Sequence, residues 1–239
     1  MNNSGSIKKL YFKDTSFASL MEQRVYNILL IASKYDAFML EEDGRIDEQI
    51  FNEYTSLNLR YPPRFTLAST LEEAQEMLRT RSFDLFIMMP AVENSAVFGY
   101  AKELKNLYPT VPVVLLTPFS SEVFHRLYHH EDFSAIDYVF SWLGETDLLL
   151  AIVKLLEDKM NVDADIKSVG VQVILFVENS IQFYSTILPY LYKHVFVQSR
   201  SFMTEALNEH EQMLRMRGRP KILLARNYEE AQELYDKYR

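Results

Sequence analysis

Asp84–Pro90 reads DLFIMMP, five apolar residues in a row between a carboxylate and a proline. The run is too short for a stable helix and has no polar side, which is the pattern of a strand buried on both faces. Similar runs lie on either side: Tyr26–Ala32 and Arg64–Ala68 before it, Val111–Leu116 and Ile136–Phe140 after it. Stretches of helical period separate them, around Glu48–Leu57, Leu71–Thr80, Ala96–Leu107 and Ser121–His130, and the apolar helix Thr146–Met160 closes the set. Short strands joined by helices need crossovers, and crossovers make a parallel sheet covered on both faces. The expected class is therefore α/β, a doubly wound five-stranded parallel sheet over residues 25–160.

Upstream, Thr15–Arg24 has capping residues and then Phe17, Leu20 and Met21 at helical spacing, so residues 1–24 read as an arm with a short amphipathic helix. Downstream, Asn161–Gly170 is polar and ends in glycine, which reads as a linker. A new strand, Val171–Val177, follows and leads into a long helical region, Ile181–Arg217, interrupted by Pro189 and stopped by Gly218 and Pro220. The strand Lys221–Ala225 and the helix Glu229–Tyr238 complete an incomplete second βα array over 171–239. Tyr26–Ser33 (YNILLIAS) and Gln172–Asn179 (QVILFVEN) suggest a weak internal duplication at a spacing of about 145 residues.

The chain has 239 residues, 48% hydrophobic and 24% charged, with a formal charge of −8, which are globular proportions. The acidic balance argues against a general nucleic-acid or anionic-membrane footprint and favours small molecules or proteins as partners. There is no cysteine, so disulfides, thiolate metal sites and cysteine nucleophiles are excluded, in keeping with a reducing compartment; the cytoplasm is the expected location. No apolar run reaches the ~18 residues of a spanning helix. A Gly-rich phosphate loop and a serine–histidine–acid arrangement are both missing from the sequence, so conventional enzyme chemistry is not expected.

Three segments carry a family resemblance. Pro112–Thr117 (PVVLLT), Ala135–Leu143 (AIDYVFSWL) and Asp84–Pro90, in this order of elements, resemble the receiver domain of two-component response regulators, which has a flavodoxin-like fold. The resemblance implies that Thr117 is the phosphate-sensing threonine and Tyr138 the switch aromatic. It also implies losses. The phosphoacceptor aspartate falls on Met89, or on Met88 with a one-residue shift; the magnesium-holding acidic pair falls on Ala32 and Ser33; the lysine falls on Ser141, and the proline and phenylalanine after it on Trp142 and Leu143. A thioether cannot form an acyl phosphate, and alanine and serine offer magnesium little. The expectation is a pseudo-receiver with no metal and no cofactor. The rival reading is a working phosphorelay receiver with another acceptor, Asp84 or Asp36. The second array resembles the start of another receiver, with Glu178 kept from its acidic pair and Asn179 in place of the other member. Together with Thr204–Lys221, the paired arrays and long helix resemble the N-terminal region of large bacterial proteins related to phosphoenolpyruvate synthase and pyruvate phosphate dikinase. That likeness implies a regulatory front of a longer polypeptide, or a subunit of such a phosphotransferase.

In receivers the fourth helix, fifth strand and fifth helix form the reporting face, which here is Ser121–His130, Ile136–Phe140 and Thr146–Met160. Tyr138, Trp142 and Leu143 are the expected contact residues there. A homodimer is expected, because the run Leu148–Leu156 carries more apolar surface than one sheet needs and the second array leaves an open strand edge. His129, His130, Glu131 and Asp132 read as a solvated helix end rather than a metal site. Arg215, Arg217, Arg219 and Lys221 read as a basic helix C-terminus, and Tyr184, Tyr190, Tyr192, Phe196 and Phe202 as packing residues of the long helix.

Overall fold

The computed structural model describes residues 20–40, 45–57, 59, 61–90, 96–117, 132–142, 146–201 and 216–239. The arm before residue 20, the helix 121–130 and its histidines, Leu143, Phe202 and Arg215 lie outside them. In chain order the elements are β1 Asn27–Ile31, α1 Lys34–Leu40, α2 Ile46–Ser56, β2 Arg64–Ala68, α3 Leu71–Thr80, β3 Leu85–Met88 and α4 Ala96–Leu107. They continue with β4 Val113–Thr117, β5 Tyr138–Ser141, α5 Asp147–Val169, β6 Val173–Val177, α6 Ile181–Ser201, β7 Lys221–Ala225 and α7 Tyr228–Tyr238.

β1 to β5 form one parallel sheet in the order β2-β1-β3-β4-β5. This is the flavodoxin-like doubly wound order, with its switch point between β1 and β3. All four β3 residues and all five of β4 are buried, as strands covered on both sides must be. One face packs Leu30, Ile87, Leu116 and Phe140 against α2, α5 and α6. The other packs Leu29, Phe86, Met88 and Leu115 against α4 through Phe98, Ala101 and Leu104.

The second sheet is the parallel pair β6-β7. Its helix start repeats that of the first sheet. Leu67–Glu76 (LASTLEEAQE) and Leu224–Glu233 (LARNYEEAQE) share seven of ten residues, and both build the same cap. Thr70 accepts from the Glu73 amide while Glu73 accepts from the Ser69 amide; Asn227 and Glu230 do the same around Arg226. The duplication is thus clearest at β2–α3 and β7–α7, not at the strand openings.

Two expectations fail. The polar stretch 161–170 is no linker: α5 runs on to Val169 and ends at Gly170, whose left-handed φ of 69° lets its amide donate a hydrogen bond to the Ile166 carbonyl. Two of its polar residues, Asn161 and Asp165, are buried and bonded to the chain before β1. Asn161 exchanges hydrogen bonds with the Gln23 backbone (2.9 and 2.7 Å), and Asp165 accepts from the Met21 amide at 3.1 Å. Nor does Pro189 interrupt α6. A proline inside a helix costs about 3 kcal/mol, which the burial of Tyr184, Leu188, Tyr192 and Phe196 along the same helix offsets. The apolar run of α5 does pack against the second unit, through α6 and β7.

Candidate functional site

Parallel strands bring their exits to one end of a sheet, and in this strand order ligands bind there. Ala32 leaves β1 with its amide bonded to the Ala68 carbonyl at 3.1 Å, and the Met89 amide leaves β3 bonded to the Ile31 carbonyl at 2.8 Å. Thr117 and Ser141 pair across β4 and β5, and the Trp142 amide donates to the Thr117 carbonyl at 2.7 Å. Ala32, Met89, Thr117 and Ser141 are all buried. Ser33 opens α1: its hydroxyl accepts from the Asp36 amide at 3.1 Å, a side-chain cap, and donates to the Asp36 carboxylate at 2.6 Å. Asp36 is therefore engaged in starting a helix.

None of these five strand-exit residues carries a carboxylate or a cation. Met89, 5% exposed, presents a thioether at the exit of β3, and a thioether cannot form an acyl phosphate. Asp84 does not replace it. Its carboxylate accepts from the Tyr26 and Asn27 amides at 2.9 and 2.8 Å, at the entrance of β1 and β3. The whole of β3 separates it from Met89, about 16 Å at the rise of a strand. Asp84 therefore lies at the opposite end of β3 from the strand exits. Among the described residues no three histidine, aspartate or glutamate side chains are grouped to hold a metal.

The β5 part of the expected contact face is covered from within. β5 is an edge strand, so alternate backbone groups lack a sheet partner. α6 supplies them: the Tyr184 hydroxyl donates to the Val139 carbonyl, and the Ser141 amide donates to Ser185 Oγ at 2.9 Å. The Tyr184 ring meets Phe140 edge-on at 5.4 Å, and burial pushes its phenol well up in pKa. Tyr138 is buried, with Lys159 Nζ and the Arg226 guanidinium 5.0 and 5.1 Å from its ring centroid. Arg226 also donates to the Asp137 carbonyl at 3.0 Å and pairs with Glu230. Trp142 is partly buried against the same core. An open face at Tyr138 and β5 is thus corrected to an internal contact, because the strand edge needed partners and α6 has them.

In the second unit Glu178 accepts from the Ser180 amide at 2.9 Å, ahead of α6, while Asn179 is exposed. Arg219 and Lys221, expected to complement a helix dipole, are instead buried ion pairs. Arg219 forks onto Asp158 at 2.9 and 2.8 Å, and Asp158 also accepts from the Tyr192 hydroxyl and the Ile222 amide, each at 3.0 Å. Lys221 pairs with Asp165 at 2.8 Å; burial and the nearby Arg219 push its pKa down. Tyr184, Ser185 and Arg226 were not legible as site residues, since they act on backbone groups of a distant strand.

No protein-family model and no curated protein matches the chain. Solved structures do. Response regulator DrrB of Thermotoga maritima aligns at 15% identity and a TM-score of 0.41, over 57% of this chain and 54% of its own, so the chain spans about half of that regulator. A signal receiver domain from an HD domain-containing protein of Pseudomonas fluorescens aligns at 19% and 0.34, over 59% of this chain and 97% of its own. A Burkholderia pseudomallei response regulator crystallised with a phosphorylated aspartate aligns at 15% and 0.35, over 80% and 97%. These are likenesses of fold, and the strand order by itself gives the first unit the flavodoxin-like doubly wound α/β topology.

Proposed function

We propose that this chain is a non-catalytic signalling module, a pseudo-receiver that works through contacts and self-association as a homodimer in the cytoplasm. The observation that carries it is the buried Met89 at the exit of β3, where a receiver needs its acceptor carboxylate. Serine in the lysine position supports it, since a transferring phosphoryl group needs its charge countered. With no covalent switch, the state of the module would be set by what binds it. A phosphorelay receiver using Asp36 is the competing reading, and it would require the Ser33–Asp36 cap to open. Intact mass after incubation with acetyl phosphate and magnesium separates the two. The expected result is no added mass; an adduct of about 80 Da that is lost in hydroxylamine, as acyl phosphates are, would sink the proposal. A parent protein related to phosphoenolpyruvate synthase has only the resemblance of the paired arrays, the long helix and Thr204–Lys221 behind it, and none of the structures named above is of that kind.

A further inference from the structure

We propose that two copies of this chain join through the free edge of β6, continuing the small sheet as β7-β6-β6-β7 about a twofold axis at Leu175. This specifies the self-association proposed above and rests on it. The other outer edges have side-chain partners: Asp47 accepts from the Phe65 amide of β2, Tyr184 and Ser185 engage β5, and Asp158 accepts from the Ile222 amide of β7. β6 differs. The bonds from the Lys221 amide to the Gln172 carbonyl and from the Glu178 amide to the Ala225 carbonyl set the ladder register. They turn Ile174 and Phe176 toward β7 and leave the amides and carbonyls of Val173, Leu175 and Val177 facing outward, with no partner among the described residues.

The internal repeat shows how much cover is missing. β1, the counterpart of β6, is paired on both sides and buried at four of five positions, whereas β6 is half-buried at four and exposed at Val177. α3 buries Ala74 fully, but its counterpart α7 has no buried residue, and Tyr228 and Tyr235 are 74% and 57% exposed. α7 lies against β6, so an added strand and its helix would cover both.

A second copy fits that edge. The strand Val-Ile-Leu-Phe-Val has the same character in both directions. Antiparallel pairing about Leu175 sets Val173 against Val177, Ile174 against Phe176, and Leu175 against itself. Every outward amide then meets a carbonyl. The contact is isologous, the commonest symmetry of soluble oligomers. Five residues of strand edge fall short of the ~800 Å² per partner of a standard interface, so the open flank of α7 belongs to the same contact.

The test is sedimentation equilibrium of the full chain and three variants, with circular dichroism and melting as folding controls. Val177→Pro removes an outward amide while leaving the β7 ladder intact. The expected result is a dimeric wild type and a monomeric, folded Val177→Pro. Should that variant not fold, Val177→Lys keeps the amide, changes an exposed side chain, and is expected to weaken the dimer at least about tenfold. The third variant, Ile187→Glu with Tyr190→Glu, alters an exposed stripe of α6 and should leave the dimer unchanged. A dimer lost only in that variant, or kept in both Val177 variants, overturns the β6 interface but keeps self-association. A wild type that is monomeric at high micromolar concentration overturns both.

Discussion

Tyr54 shows how far single residues in this chain are shaped by partners distant in sequence. It is 1% exposed, with Lys154 Nζ 4.7 Å from its ring centroid, and burial pushes its phenol to about 12. Raised pKa values mean that the folded state holds the proton more tightly than the unfolded one. The associated stability is complete below pH 10 and is lost as pH rises from 10 towards 12, by up to ~3 kcal/mol. Urea unfolding at the two ends of that window should show the loss, and Tyr54→Phe should reduce it. An unchanged slope in the variant would show that Tyr54 is not its source. The same dependence on distant partners limited what could be read at the site. Ala32, Met89, Thr117 and Ser141 were placed by the family resemblance of short segments at strand exits, and a strand exit is a local feature. Nothing near Ser141 announced that its amide would meet a serine 44 residues later.

Among the elements, the strands and α3 and α4 were readable to within two residues, since periodicity and turns mark them directly. α5 was misread at its end for a physical reason. Asn161 and Asp165 have the polarity of a linker, but they recur on the buried face with Lys154, Glu157 and Asp158, and polarity alone cannot tell solvent from a buried partner. α1 was missed because it is seven residues long and held mainly by the Ser33–Asp36 cap. α6 owes its position on β5 to two side-chain bonds, so removing one has a local signature. Ser185→Ala should cost about 1–3 kcal/mol by stranding the buried Ser141 amide, and hydrogen exchange of that amide should quicken. Unaltered protection would mean that Ser185 does not hold the edge.

For the whole molecule, α5 is the common wall of both sheets. It packs on β5's layer through Leu149, Ile152 and Val153, and it anchors the second unit through Asp158 and Asp165. The two units should therefore unfold in one cooperative transition. Arg219→Met leaves Asp158 buried without its ion partner, and breaking such a pair costs about 3–5 kcal/mol. Trp142, the sole tryptophan, lies in the first unit, yet its fluorescence should shift to the same midpoint as the helical signal. Two separate midpoints would show that the units are independent. The cover on β5 also has a timetable. On the ribosome the sheet is complete once Ser141 emerges, while Tyr184 and Ser185 have still to be made, so for that interval the nascent chain carries a bare edge and the unpaired apolar side of α5. A pause in translation between these points would leave a half-made protein prone to clump, and the stretch from β5 to α6 is where chaperones would have the most to guard.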